Sequence, residues 1–164
     1  MASGDSLAII RDPALANTPP ASNPMTPDQR NNHWVLDADA STNESAVFSF
    51  YMPKQYGGNG IHVDVLFAMS TATSGDVDVD AAIERIGEEQ QDIDSDGFAA
   101  AKSVDNTTVP GTSGHTKKIR ISFSNSEIDG LLAGERGRLK ITRDAASDTA
   151  TGDMEFLGIH AEEQ

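Results

Sequence analysis

The strongest constraint in this chain is a two-residue period. Asp76, Asp78 and Asp80 interleave with Val77, Val79, Ala81 and Ile83, which places one set of side chains on each side of an extended strand, one wet and one dry. A helix would scatter the same residues around its circumference. The period recurs over 45–52, where Val47, Ser49 and Tyr51 alternate with Ala46, Phe48, Phe50 and Met52. It recurs again over 61–70, where Ile61, Val63, Val65, Phe67 and Met69 share a face opposite His62, Asp64 and Leu66.

Shorter runs follow the same rule. Strands are predicted at 117–124 (Ile119, Ile121 and Phe123 inward), 138–144 (Leu139, Ile141) and 153–160 (Met154, Phe156 or Leu157, Ile159). Further strands are expected at 98–104, 5–10 and 33–36. Turn-forming residues separate them, including the glycine-rich run 56–60, which supplies positive φ at low cost. Residues 126–137 read as a loop with one helical turn, and no longer segment carries a helical stripe. Many short strands at roughly regular spacing predict an all-β fold, an antiparallel β-sandwich of jelly-roll type. With 164 residues the chain has one domain's worth of core.

Five of the seven prolines, Pro13, Pro19, Pro20, Pro24 and Pro27, precede that region. Each lacks an N–H and restricts the residue before it, so the segment cannot hold a helix or the middle of a sheet. The expected organisation is an extended arm over 1–32 and a sandwich over 33–164. Between Ala16 and Asn32 the only large apolar side chain is Met25, so burial of the arm is expected to come from a neighbour. Pro19, Pro20, Pro24, Met25, Pro27 and Trp34 are the predicted partner-binding residues, and a homo-oligomer, such as a trimer, is the expected state.

Twelve Lys and Arg stand against 26 Asp and Glu, a formal charge of −14. Phosphate backbones and anionic lipid surfaces are repelled by such a chain, so nucleic acid and membrane are excluded as expected partners. The absence of cysteine removes disulfides and thiolate metal sites. The opening MASGDSLAIIRDP has no basic leader and too short an apolar run for a secretion signal.

Asp92, Asp94, Asp96 and Gly97 stand in the order that opens a calcium loop, yet the twelfth position is Ser103 where an EF-hand needs a bidentate glutamate. A weak calcium site at these three aspartates is the only cofactor expectation. The Asp76, Asp78, Asp80 row reads as an exposed strand face. Four histidines, His33, His62, His115 and His160, lie on separate segments without paired metal-ligand spacing. No serine elbow, phosphate loop or distinctive acid/base pair is present, so the chain is not expected to be an enzyme; two close carboxylates in a cleft would argue otherwise.

The stretches RNNHWVLDADASTNESAVFSFYMPKQYGG, SGDVDVDAAIERI, QDIDSDGFA and RLKITRDAASDTATGDMEFLGI resemble a family of small β-sandwich virion proteins of tailed bacteriophages and phage-like clusters. The resemblance runs from about Arg30 to Ile159. It implies a non-enzymatic virion structural role at the particle surface: a capsid decoration or cement protein, or a tail-associated subunit. Its partners would be copies of itself and another virion protein such as the major capsid protein. The alternative on the same fold is a carbohydrate-binding or host-attachment module, with Trp34, Tyr51 or Tyr56 as stacking residues.

Overall fold

The computed structural model describes the backbone of residues 6–10 and the whole of residues 22–164. Ten strands are formed: β1 (Ser6–Ile10), β2 (Thr26–Arg30), β3 (His33–Ala38), β4 (Glu44–Tyr51), β5 (Ile61–Met69), β6 (Asp76–Ile86), β7 (Lys102–Thr108), β8 (Lys117–Phe123), β9 (Arg136–Arg143) and β10 (Met154–Glu163). A 3₁₀ turn at Asn125–Ile128 overlaps the start of the loop expected to hold one helical turn.

The strands make two antiparallel sheets, as the alternation predicts. The larger runs β2-β3-β10-β5-β8, and β1 also joins β10; the smaller runs β4-β9-β6-β7. Strand β10 pairs with β5 along its length on one side, while its other side is shared by β3 at 154–156 and β1 at 159–162.

Between the sheets lie the residues of the dry faces. Ile61, Val63, Val65, Phe67 and Met69 of β5 meet Val77, Val79, Ala81 and Ile83 of β6, all at most 2% exposed. The rings of Phe48 on β4 and Phe156 on β10 stack across the gap with centroids 5.6 Å apart. A bulge between Phe156 and Gly158 shifts the alternation of β10. Phe156 and Ile159 therefore both enter the core, and Leu157 turns outward.

One guanidinium ties the sheets at one end. Arg143, fully buried on β9, donates from Nη1 to the carbonyls of Ala38 and Gly152, from Nη2 to that of Ala150, and from Nε to Asp148. The planar fork suits this task, because its donors diverge in fixed directions toward several acceptors at once.

The expected boundary at residue 32 is corrected. Arg30 faces His33 across a two-residue turn whose Asn31 and Asn32 have φ of 46° and 64°, the geometry of a tight hairpin. Strand β2 is thus an edge strand of the sandwich, and the edge is where a strand tolerates a proline such as Pro27. Met25 is also not a partner-binding residue: it sits in the protein's own core, 5% exposed. Its N–H donates to Ser45 O, while Ser45 N donates to Asn23 O. Pro24 forms a bridge with Ser45 there. Pro19 and Pro20 lie outside the described residues.

Two further expectations change. Strand β7 begins at Lys102, leaving Phe98 free of the ladder. The aspartate row is not uniformly exposed either: Asp78 is 6% exposed and accepts from the N–H of Asn106, where β7 is irregular against β6.

Candidate functional site

Three surfaces could receive a ligand, and the sequence-predicted residues are distributed among them unevenly. The acidic loop is not one of them. Asp92 turns its carboxylate back on its own loop, accepting from Asp94 N at 3.0 Å and Ser95 Oγ at 2.9 Å, while Asp96 accepts from Asp92 N. The hydrogen bond from Asp94 N comes first in lowering the Asp92 pKa. Among the described residues no three His, Cys, Asp or Glu side chains converge on a point that could hold an ion. The carboxylates of Asp92 and Asp96 are turned to hydrogen bonds that cap their own loop.

Of the three aromatic candidates, Tyr56 is removed. It is 7% exposed, and its hydroxyl donates to Asn125 Oδ1 and accepts from Gly60 N. Trp34 and Tyr51 are surface residues, 51% and 70% exposed. They lie on β3 and β4, one in each sheet. Neither lines the clefts described below.

The outer face of the larger sheet carries two adjoining depressions of about 320 and 350 Å³ that share Leu157. Their charged groups are paired with one another. Arg30 pairs with Glu155 and donates to Met69 O. Asp64, 4% exposed, accepts from Lys118 at 2.8 Å and from both arms of Arg120 at 2.7 Å. Burial alone would raise the Asp64 pKa, but the hydrogen bonds from Arg120 and Lys118 outweigh it and hold the group at about 2.

Beside this groove Asp37 has the opposite shift. Burial, then the charges of Asp28, Glu155 and Asp153, push its pKa up to about 6, and its Oδ1 is buried without a partner. Asp28 and Asp37 are joined by a direct hydrogen bond. Glycoside cleavage needs two carboxyls separated by at least about 5 Å, with the sugar or water between them. A pair in contact does not meet that requirement.

The third surface is the outer face of the smaller sheet. A cleft of about 320 Å³ there is lined by Asn23, Asn43, Ser45, Asp80, Lys140 and Thr142, with small alanines at its floor. Strand pairing builds it: Asp80 lies beside Thr142 and Ala82 beside Lys140, while Ser45 flanks Thr142 from β4. Ser45 Oγ and Thr142 Oγ1 are 2.7 Å apart, and Asp80 accepts from Ser103 Oγ. Asn43 is used at both ends, donating to Asp144 and accepting from Ala146 N. By contrast, the Asn23 amide and the Lys140 ammonium make no hydrogen bond or ion pair in the described structure. The Phe98 ring is not part of the lining but meets Lys140, its centroid 5.1 Å from Lys140 Nζ and 5.0 Å from Arg138 Cζ.

The two clefts differ in spare bonding capacity. A ligand entering the larger-sheet groove must compete with short ion pairs, whereas the smaller-sheet cleft offers two donors that have no partner among the described residues. Its residues were missed from the sequence because Asn23 lies within the proline-rich segment and Phe98 within an expected strand. The outward position of Lys140 between Leu139 and Ile141 was the only signal available.

No family model matches this chain, and no curated protein does. Solved structures do. A family 35 carbohydrate-binding module from an environmental isolate superposes with a TM-score of 0.55 and 12% identity, covering 94% of this chain and 92% of that one. The xylan-binding module CBM15 gives 0.51 and 10%, covering 96% and 97%. A tailspike domain of bacteriophage CBA120 also matches, at 0.36 and 10% over 98% of this chain and 18% of that one, too distant to bear on role. The fold is accordingly the jelly-roll β-sandwich shared with carbohydrate-binding modules.

Proposed function

We propose that this protein is a non-catalytic carbohydrate-binding module whose sugar site is the cleft on the smaller sheet. The observation that carries the reading is the meeting, in one cleft, of donors at Asn23 and Lys140 without a partner among the described residues and a hydroxyl and carboxylate rim at Ser45, Thr142 and Asp80, with the ring of Phe98 against Lys140. Sugars present hydroxyl edges and weakly polar C–H faces, so a polar rim beside an aromatic surface complements both. The names of the two best-superposing structures reported above support the same class. Affinity electrophoresis through gels carrying xylan, mannan, β-glucan, alginate or polygalacturonate tests it. Retardation by at least one polymer, weakened by Asn23→Ala and Thr142→Ala but not by Leu66→Ala in the other groove, is the expected result. Free migration through every gel would remove the reading.

The resemblance of the stretches from Arg30 to Ile159 to phage β-sandwich proteins supports a second reading, a capsid decoration or cement protein bound as a homo-oligomer to the major capsid protein. Such a role would have to use surfaces other than Met25, which the protein's own core takes up. Both readings are compatible on a particle surface that attaches to host glycans. Co-sedimentation with intact particles addresses the second independently of any sugar.

A further inference from the structure

We infer that the ligand of this cleft is an anionic sugar, with its charged group on Lys140; the inference rests on the carbohydrate-binding reading. It begins from the distribution of cations in a chain with a large acidic excess. Arg30, Arg85, Lys102, Lys118, Arg120, Arg138 and Arg143 each hold an acidic partner, while Lys117 donates to a carbonyl and Arg136 to a hydroxyl. Among the described residues that leaves Lys54, exposed on a turn, and Lys140. Only Lys140 is half-buried and lines a cleft.

The ammonium lies 5.1 Å from the Phe98 ring centroid, and the guanidinium of Arg138, tied to Glu84, lies 5.0 Å from the same centroid. A lysine against an aromatic ring, with no ion-pair partner among the described residues, favours an anion. The remainder of the cleft has the opposite character. Thr142 stands two residues from Lys140 on the same face of β9, about 7 Å along the strand, and Asp80 lies beside it on β6. The cleft is therefore polarised, with a cationic donor at one end and hydroxyl and carboxylate acceptors at the other. A neutral sugar would leave the ammonium without a counter-charge. A sugar bearing a carboxylate or sulfate at one edge and free hydroxyls at the other satisfies both ends in one orientation.

The test compares alginate, polygalacturonate and hyaluronan with their carboxyl-reduced or methyl-esterified neutral forms, and adds chondroitin sulfate, by titration calorimetry of the intact protein. At least one charged polymer should bind tenfold or more tightly than its neutral form. Lys140→Met should abolish that ratio, and Lys140→Arg should restore most of it, which separates charge from loss of fold. Stronger binding of chondroitin sulfate than hyaluronan, lost in Lys140→Met, would assign the anion as sulfate within the same class. Equal affinity for charged and neutral forms, or a ratio unchanged by Lys140→Met, would overturn the inference and leave the carbohydrate-binding reading standing. Absence of binding to every polymer in this set and in the neutral gels would end both.

Discussion

Replacing Arg143 by methionine should be among the most damaging single changes in this protein. The substitution keeps an unbranched side chain of comparable reach but deletes four hydrogen bonds, stranding the carbonyls of Ala38, Ala150 and Gly152 and the carboxylate of Asp148, whose side chain is 1% exposed. A buried acceptor left without a partner costs about 1–3 kcal/mol, and breaking a buried pair from one side typically costs about 3–5 kcal/mol. The upper sum is not reached, because Asp148 can take up a proton: burial already raises its pKa against the opposing pull of Arg143. A net loss of about 4 kcal/mol is expected, a large share of the roughly 5–15 kcal/mol that holds a domain together. For a chain of this size that lowers the melting temperature by about 8–16 °C. Calorimetric melting at pH 7 measures it, with Asp148→Asn as the control that should cost less, since it removes a charge that burial disfavours. The reasoning also requires Arg143→Lys to fail, because a single ammonium cannot reach three separated carbonyls. An Arg143→Met protein melting within about 2 °C of the parent would refute the assignment of this guanidinium as the tie between the sheets.

Three further outcomes follow from the larger sheet and the arm. Asp37 binds its proton more tightly in the folded protein than in the unfolded chain, whose carboxyl keeps the ordinary value near 3.8. Stability should therefore fall as pH rises from about 4 through about 6 and level off above that; the full displacement would be worth about 3 kcal/mol, reduced to about 1 kcal/mol because part of the group meets water. Urea unfolding across this range should show the slope, and Asp37→Asn should remove it while raising stability at pH 7.5; a slope unchanged in the variant would contradict the assignment. Met25→Ala should destabilise the isolated protein by about 2–5 kcal/mol, as a core truncation does, and a chain lacking residues 1–30, deprived of β1, β2 and Arg30, should fail to melt cooperatively. A fully stable truncated domain would restore the detachable arm.

Much of the sandwich was legible because many of its strands carry large apolar residues on one face and mostly polar or small ones on the other, so the period of two survives in the sequence. β5, β6 and β8 carry it almost without interruption. Strand β2 was illegible for a physical reason: two of its five residues are Thr and Pro, and it buries almost nothing, so it exists through backbone pairing to β3. The Asn31–Asn32 pair was the available signal, since asparagine accepts positive φ more readily than other side-chain-bearing residues. Met25 misled for a related reason. An isolated apolar residue among prolines gives no period, and its burial depends on where β4 happens to pass. The candidate site was less legible still, being assembled from β4, β6, β9 and the segment before β2, which no spacing in one stretch of sequence could bring together. The acidic loop had spacing but not convergence, because a carboxylate two residues from a free N–H finds that partner before it finds an ion.

The shared edge of β10 also bears on how the chain reaches its native state. Until residues 154–163 leave the ribosome, the larger sheet exists only as separate pieces, β5 with β8 and β2 with β3, each exposing a strand edge that β10 will later cover. The contacts that join them span nearly the whole sequence, Ser6 with Glu162 among them. Closing such long loops is entropically expensive and slow, which predicts a high-contact-order folder whose nascent form is at its most adhesive just before synthesis of that strand. A ribosome-bound chain stopped short of Met154 should recruit chaperones, and one extended past Glu163 should release them.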